Sequence, residues 1–382
     1  MSADAEWAGV HDDLICALLR GDGVAWPGAQ AGVEVEAFLA RADHHGTLPL
    51  LGDRLRDPAT ADAWPASIRT RCTAEALSGA AWELAQRGET IRLLASFREV
   101  QLKPLILKGA ALASSHYAHP GLRPRSDLDL IVAEADHERA EEVLRHRGYA
   151  RRGVSMGRHI SCESTWNLAM LNGASVDVDL HWRSNNSPAL ARLLGYEEMQ
   201  ARALPVPSLG PDAFAPCPVH ALLFACVHRA GHAHAPIYVD GVAVPAKERF
   251  IWLYDIHLLA SNMPGAALEE AASIASNRRM TAIVREALEL CEERFALALP
   301  ASVKAVLEQG RRREPSAEIF HGSRLRRMSR DFLAICGVAE RLRWLRELAF
   351  PSAQYMHAKY PASSSWLAVL YARRAFDGLR KR

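Results

Sequence analysis

Hydrophobic positions divide the chain into three stretches of different period. From residue 1 to about 95, apolar residues recur every three or four positions, the spacing of one face of a helix. Leu14, Ile15, Ala17, Leu18 and Leu19 begin one such stripe, and Ala74, Leu77, Ala80, Ala81, Leu84 and Ala85 form another. Pro27, Pro49, Pro58 and Pro65 break the stretch into several helices, because proline lacks the amide hydrogen a helix interior needs.

Near residue 100 the period shortens. Pro104-Leu-Ile-Leu107 is an apolar run of strand length ending at Lys108-Gly109, which predicts a buried strand and a turn, with a helix from Ala110 to Tyr117. Gly121 to Ser126 reads as a loop, and Asp127-Leu-Asp-Leu-Ile-Val132 alternates and then turns wholly apolar, as a half-buried strand would. Ala135 to Arg147 is an amphipathic helix with Ala140, Val143 and Leu144 inward, and Gly148 stands where a helix C-cap belongs. Thr165–Leu171 and Ser175–Trp182 read as two strands of a hairpin joined through Asn172-Gly173. On the second strand Val176, Val178 and Leu180 share one face, and Asp177, Asp179 and His181 share the other. From about residue 210 the helical period returns, broken by a loop from Ala235 to Pro245, at residues 262–265 and at Phe350-Pro351. The predicted fold class is α+β. A small mixed sheet occupies residues 96–208, flanked by helical regions at 1–95 and 209–382.

Composition adds limits. Half of the 382 residues are apolar (49%) and 24% are charged, the profile of a globular protein able to bury a core. No run of eighteen apolar residues predicts a membrane span, and the acidic start of the chain lacks the pattern of a secretory signal. Seven cysteines are scattered with no Cys-x-x-Cys pair, which points to a reducing compartment and a cytoplasmic location. The net charge is only +2, but residues 301–382 hold 17 Lys and Arg against 7 Asp and Glu, an excess of 10. That basic region could meet phosphates, nucleic acid or an acidic partner; its plainer reading is solvated helix faces.

Two aspartates at i and i+2 of a strand project from one face with Cα atoms about 6–7 Å apart, a spacing that lets both reach one metal or bridge two. Two-metal phosphoryl transfer needs such a pair, ions about 3.5–4 Å apart, and a third carboxylate from a neighbouring strand. Asp127 and Asp129 supply the pair. Asp177 and Asp179 are both candidates for the third group, on a strand that could lie antiparallel beside the first. Lys108-Gly109-Ala110 forms a strand-to-helix turn whose backbone amides could hold a triphosphate. Lys108 itself could contact phosphate or pair with the aspartates. No P-loop, HExxH, GxSxG or kinase signature is present.

The segments Leu107-Lys-Gly-Ala-Ala-Leu112, Leu122-Arg-Pro-Arg-Ser-Asp-Leu-Asp-Leu-Ile-Val132, Gly148-Tyr149 and Val178-Asp-Leu-His-Trp182 resemble the uncharacterised nucleotidyltransferase family of the DNA polymerase β-like superfamily. So do Cys226-Val-His228, Arg249 to Asp255 and Phe350 to Tyr355. The resemblance implies a nucleotidyltransferase core, an NTP as co-substrate, and two Mg²⁺ ions, or Mn²⁺ in their place. It implies Asp127, Asp129 and Asp179 as metal ligands and catalytic carboxylates. Gly109, with Lys108 and Ala110, would form the nucleotide turn, and Arg123 and Ser126 would lie beside the triphosphate. Many members of the superfamily carry Gly-Gly or Gly-Ser at the turn. Here Gly109-Ala110 offers no hydroxyl there, so the backbone amides or Lys108 must do more.

The acceptor is left open among a protein, a peptide, a small molecule and RNA, because a fold does not decide chemistry. A catalytically silent nucleotide-binding module and an RNA-directed transferase are the alternatives. His181 and Trp182 read more plainly as packing residues, and Trp182 or Trp166 could instead stack on a base. Cys217, His220, Cys226, His228, His232 and His234 match no zinc spacing. His228 with Asp255 or His257 could line the cleft opposite the carboxylates.

Overall fold

The computed structural model of the chain describes residues 3–28, 34–170, 175–234, 237–239, 242–244, 247–309, 314–317, 323–361 and 366–380. The N-terminal region folds into α1 (Ala3–Arg20), α2 (Val35–His45), α3 (Leu48–Arg54), α4 (Pro58–Ala61) and the 34-residue α5 (Ala66–Glu99). Leu14, Ile15, Leu18 and Leu19 are buried, so the first stripe faces the core. The second stripe does not. Leu77 and Leu84 on α5 are 63% and 71% exposed, while Glu83, Gln86 and Glu89 are turned inward. Those polar groups find partners there: Gln86 Nε2 donates to the Ser175 carbonyl at 2.9 Å, and the Tyr149 hydroxyl donates to Glu89 at 3.3 Å.

The sheet holds β1 (Leu105–Ile106), β2 (Asp127–Ile131), β3 (Ala150–Arg152), β4 (Glu163–Ala169) and β5 (Ser175–His181) in the order β1-β2-β5-β4-β3. Between them run α6 (Lys108–Ser115) and α7 (His137–His146). Strands β4 and β5 form the expected antiparallel pair; the Asn172-Gly173 turn lies outside the described residues. The pairing of β5 with β2 is parallel, and the antiparallel expectation is corrected. The chain leaves β2 through α7, reverses from β3 to β4 and again to β5, and so returns in the direction of β2. Side-chain alternation is the same for either direction, so the sequence pattern could not distinguish them.

The rest of the chain adds α8 (Pro188–Ala191), α9 (Tyr196–Ala201), α10 (Pro218–His234), α11 (Phe250–Ser261), α12 (Gly265–Asn277), α13 (Thr281–Phe295) and α14 (Ala301–Gln309). Residues 237–239 and 242–244, expected as part of a loop, pair as a short antiparallel ribbon. The structure is 64% helical around a mixed five-stranded sheet, an α+β fold.

Two apolar clusters fix the position of the sheet. One face, with Leu128, Leu130, Val176, Val178 and Leu180, packs with Leu93 and Phe97 of α5 and Val143 and Leu144 of α7. The other cluster joins α1–α3 to α10–α13 and includes Leu107, Leu112 and Ile131. The polar face of β2 and β5 is thereby directed toward α10 and α11. Helices at Arg324–Ala334, Val338–Ala349, Ala353–Lys359 and Leu367–Arg380 follow. Glu347 ties them to the loop before β4 by accepting from the backbone amides of His159 at 2.7 Å and Ile160 at 3.2 Å. Among the described residues no helix is long and apolar enough to cross a membrane.

Candidate active site

Parallel pairing of β2 and β5 puts Asp127 opposite Asp177 and Asp129 opposite Asp179. Adjacent strands lie about 4.8 Å apart, so four carboxylates share one face. Their neighbours rank them. Asp177 accepts from Asn167 Nδ2 at 2.8 Å, lies 3.6 Å from Arg152, and stands outside the cleft above the sheet. Asp127, Asp129 and Asp179 line that cleft, which has a volume of about 560 Å³. Asp179 Oδ1 accepts from the Thr165 hydroxyl at 2.7 Å, and Asp127 Oδ2 accepts from the Ser126 hydroxyl at 3.3 Å.

Lys108, Gly109, Arg123 and Ser126 line the same cleft. Lys108 takes a left-handed backbone angle (φ 49°) at the strand-to-helix turn, which turns the chain sharply into α6. Its Nζ donates to Asp129 Oδ1 at 2.6 Å. Gly109 is closely enclosed: a Cβ there would lie 3.2 Å from Arg123 Nη1 and 3.4 Å from Arg125 Cβ. The Ala110 side chain points away from the cleft into the core beneath the sheet. Arg123 is buried and bidentate to Asp255, with Nε at 3.0 Å and Nη2 at 2.6 Å, and the Tyr117 hydroxyl donates to the same carboxylate at 2.7 Å.

Electrostatics separates the three aspartates. Burial, then the negative charges of Asp129 and Asp179, push Asp127 up to about 6. Asp179 is raised as well, by burial and by Asp129. Burial would raise Asp129 too, but the Lys108 ammonium and His181 outweigh it and hold that carboxyl well below the ordinary range. His181 Nε2 lies 2.9 Å from the same Asp129 Oδ1. Burial and Lys108 disfavour the imidazolium, yet the contacts with Asp129, Cys162 and Glu163 prevail and raise His181 to about 10.

Several cleft residues carried no local signal in the sequence. Glu163 faces His181 across β4 and β5, and His181 was read as packing. On the opposite wall, His228 and Asp255, offered for that place by the sequence, are joined by His232, Arg249 and Trp252, which were not. The Trp252 ring lies 5.6 Å from His228 and 5.2 Å from His232 between centroids. Burial, followed by the Lys108 charge, pulls His228 well below its ordinary value and keeps it neutral. Trp166 and Trp182, the aromatics considered for stacking, are buried at 1% and 4% exposure and stand outside the cleft; Trp182 packs on His137 at 4.9 Å. His257 packs on Tyr254 and Phe295 instead of lining the cleft. Among the described residues, groups able to hold a metal form at Asp129–Asp179–His181 and at Cys162–Glu163–His181, and none forms from the cysteines and histidines of α10.

A cleft floored by carboxylates from two neighbouring strands, with a strand-to-helix turn at its edge, has the form of a phosphoryl-transfer site, and the protein is a nucleotidyltransferase. Residues 31–296 match the model of a family described as uncharacterised nucleotidyltransferase, and the chain belongs to that family. No curated protein matches the chain. Membership brings an NTP substrate and a divalent metal, and the acidic groups of the cleft are suited to binding such an ion. The donor set fits a hard cation. Three carboxylates crowd one buried face, while the Lys108 and His181 contacts both end on a single oxygen, Asp129 Oδ1.

Proposed function

We propose that Asp127, Asp129 and Asp179 hold two Mg²⁺ ions, with Mn²⁺ as a substitute, and that the protein moves a nucleoside monophosphate from an NTP to an acceptor hydroxyl. Ions held there would supply positive charge to offset that of the transferred and departing phosphates. Asp179, fixed by Thr165 and raised by burial, takes the acceptor proton. The acceptor oxygen bonds to the α-phosphorus, the bond from that phosphorus to the bridging oxygen breaks, and pyrophosphate leaves.

Amides of the Lys108-Gly109-Ala110 turn and the Ser126 hydroxyl hold the triphosphate. Arg123 contributes by positioning, because its guanidinium is committed to Asp255 and braces the turn at Gly109. Lys108 balances Asp129. Trp252, beside the uncharged His228, offers the flat wall on which a base can stack. Rate enhancement then comes from positioning and preorganised charge.

The observation that carries this reading is the in-register parallel pairing that puts Asp129 beside Asp179 at the floor of the cleft. The test uses NTPs labelled at the α or the γ phosphate with a pool of peptide, small-molecule and RNA acceptors. Nucleotidyl transfer moves the α label to an acceptor and the γ label to pyrophosphate. A γ label on the acceptor would mean kinase chemistry and refute the proposal.

The basic excess at 301–382, beyond the family match, favours one second reading, an RNA acceptor. In that case RNA affinity falls steeply with salt. A flat salt response restricts the acceptor to a peptide or small molecule.

A further inference from the structure

Beside the aspartates lies a different set of ligand atoms. Glu163 sits opposite His181 in the β4–β5 ladder, and Cys162 precedes it. Ligand atoms of Cys162, Glu163 and His181 all lie within 4.8 Å of one another. His181 is 3% exposed, and its Nε2 is engaged by Asp129. Its Nδ1 is buried without an aligned hydrogen-bond partner; Glu163 Oε2 stands 3.2 Å away, off the line a hydrogen bond needs. Nδ1 thus has a thiol and a carboxylate at close range but no well-aligned hydrogen bond, an arrangement that a bound ion would satisfy better.

We propose that Cys162 Sγ, a Glu163 carboxylate oxygen and His181 Nδ1 bind a transition-metal ion of the zinc class, at a site separate from the nucleotide-binding carboxylates. The thiolate and imidazole select a borderline-soft metal such as Zn²⁺ or Co²⁺ over Mg²⁺, which takes oxygen ligands. Binding releases two protons to solvent, one from the Cys162 thiol and one from His181 Nδ1, and leaves His181 a neutral ring with its remaining proton on Nε2 toward Asp129. Three protein ligands leave a position for water or for a group arriving through the cleft, which Glu163 lines. Because His181 touches Asp129, the ion would set the orientation of a carboxylate in the neighbouring site.

The experiment titrates metal-free protein with Co²⁺ and follows thiolate-to-cobalt charge transfer in the near ultraviolet. Cys336 is exposed, so a Cys336→Ser background removes adventitious ligation; the other six cysteines are buried. The expected result is a saturable band at one Co²⁺ per chain. It should be absent in Cys162→Ser and present in Asp127→Asn. Glu163→Gln should keep the band and weaken Co²⁺ binding at least about tenfold, which also covers the case of a Cys162 variant that fails to fold. Absence of a thiolate band at saturating Co²⁺, or a band surviving in folded Cys162→Ser, overturns the proposal. Mg²⁺-dependent NTP binding is measured on the same samples, so failure of this site is distinguishable from failure of the nucleotidyl-transfer reading.

Discussion

Lys108 carries a charge and a backbone strain at one position. Its ammonium holds the buried Asp129, and its φ of 49° places it where residues with a Cβ pay on the order of 1–2 kcal/mol. Lys108→Ala and Lys108→Gly lose the same ion pair but differ in that strain. Glycine's extra unfolded-state entropy offsets part of the relief, so Lys108→Gly should be the more stable by about 0.5 kcal/mol in a urea titration. Both should lower transfer about a hundredfold. At Asp127 the tension is among like charges, since burial and two neighbouring carboxylates push its pKa to about 6. Asp127→Asn should therefore raise the unfolding midpoint of the metal-free protein by about 2 °C while abolishing transfer. A lower midpoint would show that the carboxylate is stabilised by contacts rather than crowded. Alternation on a strand made Asp127 and Asp129 visible but left Asp177 and Asp179 as equals; the family resemblance singled out Asp179. The sequence did not reveal Glu163 or Trp252. Glu163 gains its meaning only from the β4–β5 register, and Trp252 sits in α11, whose residues are too uniformly apolar to mark one side.

Among the elements, α5 fixes the position of the loop that precedes β2. Gly79 on this helix meets the 120–122 turn so closely that a Cβ would lie 2.6 Å from the Gly121 carbonyl oxygen. That turn leads directly to Arg123 and Ser126. Gly79→Ala should destabilise the protein by about 1–3 kcal/mol, because the contacting atoms are backbone and cannot swing aside. Gly88 on the same helix has space, its added Cβ meeting only the tip of Arg92 at 3.7 Å, so Gly88→Ala should stabilise by about 0.5 kcal/mol. Equal effects of the two substitutions in denaturant titrations would remove α5 packing as the explanation. The helical period of α5 was legible, but its buried face was not. Over residues 74–85 alanine and leucine mark its outer side, and the inner side at Gln86 and Glu89 is polar because the Ser175 carbonyl and the Tyr149 hydroxyl supply partners from distant parts of the chain. The strand direction of β5 was hidden for the related reason that it depends on the path through α7 and β3.

The main core is built from the N-terminal helices packed on helices far along the chain. Residues of α1–α3 share one apolar cluster with α10–α13, and Asp12 stands inside that junction. Burial would raise its pKa, but hydrogen bonds from Arg41 at 2.6 Å and with His45 at 3.0 Å prevail and bring the carboxyl to about 2. A folded value below the ordinary 3.8 stabilises the protein where the group is ionised, by about 2 kcal/mol at neutral pH. That contribution is lost as pH falls from about 4 through 2. Asp12→Asn should lower stability at pH 7 by a comparable amount, and its difference from the unsubstituted protein should shrink on acidification. A pH-independent difference would assign the effect to packing. The central claim concerns the carboxylate floor, and thermal unfolding tests it most directly. The wild type and an Asp127→Asn/Asp129→Asn variant are each heated with each of the four NTPs, with and without Mg²⁺. A ligand at a hundred times its Kd stabilises the native state by about 2.7 kcal/mol. The account predicts a rise in midpoint that needs both nucleotide and Mg²⁺ and vanishes in the variant. No rise with any NTP, or the same rise in the variant, would contradict it.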